Sequence, residues 1–196
     1  MELHLLIFRL VINMAFKDTT LTFEDDKIVT EENMEVMMSW EAPIMEKSAE
    51  YVCQSKGDIL EIGFGMGICS DYIQAQDINS HTIVEIHPQI IEKLKVWAED
   101  KDNVTIVEGD WYTSDDLGIY DGIFLDTFAD NSLDNFKEFA LSKAKSGAKI
   151  TYWNNFADNR NKYGFDDISF EEISVSPSNN SYTKIIDIYY MPKVGL

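Results

Sequence analysis

Apolar and polar positions alternate in two ways between residues 57 and 154. Short apolar runs of strand length recur, and amphipathic stretches with helical spacing separate them. The predicted strands are GDILEIG, HTIVEIH, NVTIVEGD, YDGIFLDTF and AKITYWN, and the predicted helices are GICSDYIQAQ, PQIIEKLKVWAED and LDNFKEFALSKAK, the last ended by Gly147. Strands that alternate with helices at this spacing are typical of βαβ units, so the pattern predicts an α/β fold with a parallel sheet.

Two further apolar runs near the carboxyl end have no helix between them. They are DISFEEISVS and SYTKIIDIYYM, and the turn-rich stretch PSNN joins them. Such a pair predicts an antiparallel hairpin at the edge of the sheet. Together with the five preceding strands, it completes a Rossmann-like, mostly parallel sheet of seven strands.

Residues 1–45 lack this alternation and are expected to form an N-terminal helical cap on a domain of residues 46–196. Residues 30–41 have a helical start signal, because Thr30 precedes two acids and the methionines and Glu41 then follow at helical spacing. Pro43 is expected in the first turn of a second helix, which runs to about Gln54.

The first 13 residues allow two interpretations. They form a helix or strand packed on the domain, or they precede a true start at Met14. Their apolar run is too short to span a bilayer and contains Arg9, and they lack the basic start of a signal peptide. No membrane association is therefore predicted, and the cytoplasm is the expected location.

The formal net charge of −19 argues against nucleic acid as a partner. Nucleic-acid binding needs clustered lysine and arginine, so DNA and RNA are not expected as ligands. The acidity is interpreted as a solvated surface. The two cysteines and three histidines are scattered without metal-ligand spacing, so no metal site is predicted.

A glycine-rich turn lies directly between a predicted strand and a predicted helix. The stretch EIGFGMG places Glu61 before Gly63, Gly65 and Gly67, which lets the backbone approach a ligand closely. A dinucleotide fingerprint would need glycine where Ile68 stands. The preceding acid and the different glycine spacing favour S-adenosylmethionine over NAD. The alternative is a plain strand-to-helix turn.

Acidic residues follow the next three strands at their carboxyl ends, where ligands bind in such sheets. Glu85 lies about 20 residues beyond the glycines and can accept hydrogen bonds from ribose hydroxyls. Asp110 follows the third strand on the expected adenine side. Asp126 emerges from the fourth strand beside the expected methyl donor, although an aspartate there can also cap the next helix.

Glu41 stands in an apolar stretch, MMSWEAPIME, and burying such a carboxylate is costly without a partner. The acid with which it is paired here is Asp126, far along the chain, so the two are a candidate site for a cation. The alternative is a core-packing helix whose glutamate reaches solvent.

Taken together, these stretches resemble guanidinoacetate N-methyltransferase and the related arginine δ-N-methyltransferases. The stretches VMMSWEAPIM, GDILEIGFGMGI, HTIVEIHPQIIEKLKVWAED, DGIFLDTF and ITYWN carry the resemblance. It implies a class I methyltransferase that binds S-adenosylmethionine, yields S-adenosylhomocysteine and acts on a small guanidino substrate. The implied cofactor residues are Met37, Met45, Glu61, Gly63, Phe64, Gly65, Met66, Gly67, Ile68, Glu85, Gly109, Asp110 and Asp126. The implied substrate residues are Glu41, Asp126, Ile150 and Thr151, and Phe16 corresponds to an aromatic residue near the cofactor. The resemblance implies that Glu41 and Asp126 grip the planar guanidinium, which offers five N–H donors, and that Asp126 is the catalytic proton acceptor during methyl transfer.

Two departures from the family pattern bear on the substrate. Residues 155–165 are short and polar where the family has an insertion, and Phe128 replaces an expected tyrosine. The leading hypothesis is methylation of a small guanidinoacetate-like molecule. The alternatives are δ-N-methylation of a protein arginine and a cofactor-binding module without this activity. An NAD oxidoreductase is disfavoured by Ile68. The sequence leaves the exact acceptor and the oligomeric state open.

Overall fold

The computed structural model describes residues 16–130, 132–177 and 187–196. Within these residues there are ten strands and four α-helices. The strands are β1 (Leu21–Phe23), β2 (Lys27–Thr30), β3 (Glu35–Met38), β4 (Asp58–Ile62), β5 (Ser80–Glu85), β6 (Val104–Glu108), β7 (Tyr120–Leu125), β8 (Ala144–Tyr152), β9 (Ile168–Ser174) and β10 (Ile188–Gly195). The helices are α1 (Ala42–Val52), α2 (Ile68–Gln74), α3 (Pro88–Ala98) and α4 (Phe136–Lys143), and 3-10 turns cover Phe16–Asp18, Ser39–Glu41, Cys53–Ser55 and Leu133–Asn135. The helix or strand considered for the first 13 residues lies outside the described residues.

The central sheet has seven strands in the order β6-β5-β4-β7-β8-β10-β9. Strands β4 to β8 pair in parallel, whereas β10 pairs antiparallel with both β8 and β9. The predicted α/β fold and its edge hairpin are confirmed. The second hairpin strand runs from Ile188 to Gly195, later than the sequence predicts. Residues 181–186 of the predicted strand lie outside the described residues.

Both faces of the sheet are covered, as expected for parallel strands. Ile59 and Phe124 pack with α1 and α2 on one face, whereas Leu60 and Ile123 pack with α4 on the other. No helix in the described ranges is long and apolar enough to cross a membrane.

The chain reverses its direction of winding between β4 and β7. From β4 it adds β5 and β6 on one side, and it then returns to place β7 on the other. Such a switch point opens a crevice at the carboxyl ends of the strands, where ligands bind. Backbone hydrogen bonds join the strand ends there: Asp126 N–H donates to the Ile62 carbonyl at 2.9 Å, and Gly63 N–H donates to the Val84 carbonyl at 2.9 Å.

The helix predicted over residues 30–41 is wrong. These residues form a turn, strand β3 and a 3-10 turn, and β3 completes a three-stranded antiparallel sheet with β1 and β2. Asn33 adopts a left-handed conformation with φ of 62°, and this allows the turn that returns β3 onto β2. The N-terminal cap is therefore a β-sheet over the described residues. The proposed boundary at residue 45 falls within α1 and stays a prediction.

A second correction concerns Gly147. Helix α4 ends at Lys143, and Gly147 lies within β8 with φ of 85° rather than ending the helix. The pairing of β8 with β7 is irregular near this point, which accommodates the extra residues.

Candidate active site

A cavity of about 750 Å³ opens at the carboxyl ends of the parallel strands. Its volume lies within the range of pockets that hold small organic ligands. Most of the predicted cofactor residues line it: Met37, Met45, Glu61, Gly63, Phe64, Gly65, Glu85, Gly109, Asp110 and Asp126. The cavity is called the main cavity below.

The glycine-rich turn forms the floor of the main cavity. Gly63 and Gly65 have φ values of 93° and 54°, in the region that favours glycine. A Cβ on Gly63 would collide with the carbonyl oxygen of Asp126, and one on Gly65 would collide with the sulfur of Met37. The turn therefore packs tightly between the end of β7 and strand β3.

Three predicted cofactor residues do not line the main cavity. Gly67 precedes the first residue of α2, and Ile68 begins that helix and packs on the core. The backbone N–H of Met66 donates to the sulfur of Met37 at 3.1 Å. These residues build the turn and start the helix.

Glu61 is fully buried beside the main cavity. Its Oε2 accepts a hydrogen bond from the Ser70 hydroxyl at 2.6 Å and lies 2.9 Å from Nε2 of His81. Its Oε1 is buried and has no hydrogen-bond partner among the residues that the structure describes. A buried oxygen without a partner is costly, so it is an acceptor available to a ligand that enters the cavity.

Glu85 holds the loops around the cavity together. Its Oε1 accepts hydrogen bonds from the backbone N–H groups of Ile86 and His87, both at 2.8 Å. Its Oε2 accepts one from Phe64 N–H in the glycine turn at 3.0 Å. Burial raises the pKa of Glu85, and these backbone donors oppose that rise. The residue predicted to bind ribose thus also ties the glycine turn to the end of β5.

We expect Glu85→Ala to lower both stability and cofactor affinity. The substitution leaves three backbone donors without their acceptor, so the free energy of unfolding should fall by about 2–4 kcal/mol. Urea denaturation measures the first effect, and calorimetry with S-adenosylhomocysteine measures the second. The exposed Glu92 on α3 supplies the control, since Glu92→Ala should change stability by less than about 0.5 kcal/mol. An unchanged urea midpoint for Glu85→Ala would contradict the structural role.

Hydrogen bonds fix the residues on the predicted adenine side of the main cavity. Gly109 N–H donates to the Glu85 carbonyl at 2.8 Å, and Oδ1 of Asp110 accepts a hydrogen bond from Tyr112 N–H at 2.9 Å. Trp111, which the sequence reasoning missed, is buried and lines the cavity. Its indole N–H donates to Asp130 at 2.6 Å, and this fixes the ring.

A smaller pocket of about 10 Å³ adjoins the main cavity, and it is called the acceptor pocket below after the role proposed for it under Proposed function. It is lined by Glu35, Val36, Met38, Trp40, Glu41, Asp126, Thr127, Phe128 and Trp153. Asp126 lines both spaces, as do its neighbours Thr127 and Phe128. Over the described part of the chain, the lining includes three acids and no lysine, arginine or histidine.

Glu41 is only 8% exposed and is placed by its own 3-10 turn. Its Oε1 accepts a hydrogen bond from Met38 N–H at 3.0 Å. Burial raises the pKa of Glu41 well above its usual value, and the charge of Asp126 raises it further. Burial, followed by the charge of Glu61, raises the pKa of Asp126 to about 7. The raised pKa values reflect burial and mutual repulsion, and a positively charged ligand would relieve this repulsion. The pair therefore favours binding of a cation.

These raised pKa values make stability depend on pH. The ordinary pKa of an aspartate is 3.8, and that of Asp126 in the fold is about 7. Between these values the folded state holds a proton that the unfolded state has lost, so the free energy of unfolding should fall as pH rises from about 4 to 7, by a few kcal/mol. Urea denaturation across this range measures the slope. Asp126→Asn should flatten it, and an equal slope in that variant would contradict the assignment.

Two predicted substrate residues do not reach either space. Ile150 and Thr151 are fully buried within β8, and the Thr151 hydroxyl donates to the Pro192 carbonyl at 2.6 Å. The chain reaches the crevice only beyond the end of β8, where Trp153 lines the acceptor pocket. Phe16 does line the main cavity, and its ring lies 5.1 Å from that of Phe128.

Glu35 and Trp153 are the pocket residues that sequence reasoning missed. Trp153 had a signal, since it follows directly on a predicted strand end. Glu35 had none, because its place in the pocket depends on the irregular pairing of β3 with β2, which the sequence of residues 30–41 does not show. The same β-sheet brings Met37 to the glycine turn.

Comparison with a protein-family model matches residues 12–184 to guanidinoacetate N-methyltransferase. Among curated proteins, the chain is 32% identical to protein arginine N-methyltransferase 2 of Aspergillus oryzae over 207 residues, which cover 92% of this chain and 49% of that protein. It is 40% identical to the protein of the same name from Saccharomyces cerevisiae over 134 residues, or 61% of this chain and 32% of that protein. The chain thus spans half or less of the length of these relatives.

A similar fold occurs among solved structures. Spermidine synthase from Thermotoga maritima superposes with a TM-score of 0.63 at 12% identity, and the match covers 90% of this chain and 72% of that one. At this identity the likeness concerns the fold alone.

Proposed function

Because the chain belongs to the guanidinoacetate N-methyltransferase family, we propose that it transfers a methyl group from S-adenosylmethionine to a guanidino nitrogen. The observation that carries this proposal is the position of Asp126. Asp126 lines both the main cavity and an acceptor pocket whose described lining has acids and no basic residue. A proton acceptor between a donor site and a cation site is what methylation of a guanidinium needs.

The main cavity fits S-adenosylmethionine in its chemistry. The unpartnered Oε1 of Glu61 is a suitable acceptor for an ammonium group, and Glu85 and Asp110 are suitable for ribose and adenine. When bound, this group supplies a methyl carbon on a sulfonium sulfur. The glycine turn has no side chains at Gly63 and Gly65, where a Cβ would collide with Asp126 and Met37, and such a turn lets backbone approach a ligand closely.

The residues of the acceptor pocket hold the other reactant. Glu41 and Asp126 accept hydrogen bonds from the guanidinium, and the apolar walls of Met38 and Trp40 strengthen this pairing by excluding water. The guanidinium is too weak an acid to be deprotonated beforehand. Asp126 therefore takes the proton as the new N–C bond forms, and it later releases that proton to solvent.

Two acceptors are consistent with this site. A small guanidino molecule is one, and the family supports it. The side chain of a protein arginine, methylated at its δ nitrogen, is the other, and the names of the relatives favour it. Both present the same planar group to Glu41 and Asp126.

The test is a product assay with labelled S-adenosylmethionine. The protein is incubated separately with guanidinoacetate, free arginine and an arginine peptide, and methylated products are identified by mass spectrometry. Methylation of at least one acceptor supports the proposal. Cofactor binding without transfer to any of them would instead support a binding module, and binding of NAD alone would overturn the cofactor assignment.

A further inference from the structure

Glu35 reaches the acceptor pocket because strand β3 is irregular. In a regular strand Glu35 and Met37 would share one face and Met38 would lie on the other. The pairing of β3 with β2 shifts register here, since Ile28 faces Met37 and Val29 faces Glu35. Such an irregularity redirects a side chain. Glu35 therefore lines the acceptor pocket together with Met38, while Met37 lines the main cavity.

The carboxylate of Glu35 is not satisfied within the described residues. Its Oε2 is buried and has no hydrogen-bond partner there. Burial raises the pKa of Glu35, whereas the charge of Lys27 lowers it. The Lys27 ammonium lies 3.5 Å from Glu24, so it is shared with another acid. The negative charge of Glu35 also raises the pKa of Glu41, so the two carboxylates repel each other.

A guanidinium is bound by acceptors that lie around the edge of its plane, where it carries up to five N–H donors. Oε1 of Glu41 already accepts a hydrogen bond from Met38 N–H. Its Oε2 and the two oxygens of Asp126 are therefore the acceptors with the most free capacity on the two predicted residues. The buried Oε2 of Glu35 provides a further acceptor on the same pocket wall.

We propose that Glu35 is a specificity-determining residue that binds the guanidinium and disfavours acceptors with a carboxylate close to it. This inference rests on the proposed function. Among the described residues, the pocket lining has no basic side chain to receive a substrate carboxylate, and Glu35 adds a third negative charge that repels one. The favoured substrates are thus guanidines whose remainder is neutral or cationic, such as an arginine within a polypeptide.

A matched pair of acceptors tests this inference. Guanidinoacetate and guanidinoacetamide differ only in the carboxylate, and their dissociation constants are measured by calorimetry with S-adenosylhomocysteine present. The wild-type protein should bind the amide more tightly. Glu35→Gln should weaken the amide by roughly tenfold, through the lost charged acceptor. The preference for the amide should shrink by about fivefold, because the repulsion is gone.

The control is Glu32→Gln, which removes one exposed charge from the same hairpin without lining either space. It should leave both dissociation constants and the affinity for S-adenosylhomocysteine unchanged. An unchanged preference in Glu35→Gln would overturn the role of Glu35 and leave the proposed function intact. If the wild-type protein binds neither acceptor, the inference fails, whereas the proposed function fails only if the product assay also shows no methylation of free arginine or of the arginine peptide.

Discussion

Asp126→Asn should lower turnover by roughly 10²–10⁴-fold, the usual contribution of a general base, while S-adenosylhomocysteine still binds. Asparagine keeps the shape of the side chain but cannot take a proton from the acceptor nitrogen. Single-turnover kinetics with labelled methyl donor measures the chemical step, and calorimetry measures binding. The effect cannot be attributed to unfolding, because removing this charge from a crowded acidic pocket should stabilise the fold above pH 7.

Glu41→Gln is the informative comparison. It keeps an oxygen that can accept the Met38 N–H but removes the charge that attracts the guanidinium. Its main effect should therefore be a higher KM for the acceptor, with a smaller change in kcat. Equal and mild losses in both variants would indicate two structural acids, and full activity in Asp126→Asn would rule out its role as the base.

Gly63→Ala should abolish cofactor binding and destabilise the fold. The added Cβ collides with the Asp126 carbonyl oxygen, which belongs to the backbone and cannot rotate away. Its φ of 93° adds strain for any side chain. Overpacking and the left-handed backbone together should reduce the free energy of unfolding by about 2–5 kcal/mol. Urea denaturation and calorimetry with S-adenosylhomocysteine measure the two effects.

Gly164→Ala separates strain from collision. Gly164 also has a positive φ, 69°, but a Cβ added there would meet no atom of the described residues within 4 Å. This variant should lose only about 1–2 kcal/mol and should bind the cofactor normally. Similar results for both glycines would show that the contact with Asp126 is unimportant.

The central sheet could be predicted because its pattern is local. Each parallel strand is an apolar run followed by a turn, so the strand ends that hold Glu85 and Asp126 could be read from the sequence. Their meeting at one edge follows from the rule that parallel strands end on the same side. The glycine turn was predicted for the same reason.

The acceptor side could not be predicted in this way. The spacing of Met34, Met37 and Met38 is that of a helix, and the pairing of this segment with β2 overrides it. The register shift that turns Glu35 inward depends on that partner strand. Ile150 and Thr151 were misplaced because a resemblance can fix a strand without fixing the residue at which it leaves the sheet.

The shift in β3 lets one short strand line two neighbouring spaces. Met37 lines the main cavity, Glu35 and Met38 line the acceptor pocket, and Val36 lines both, on a hairpin that belongs to a separate small sheet. New acceptor ranges can therefore be sought by exchanging residues 31–36 between family members while the glycine turn and the parallel strands are kept. For protein engineering, the hairpin is thus a segment that can be exchanged while the central seven-stranded sheet stays unchanged.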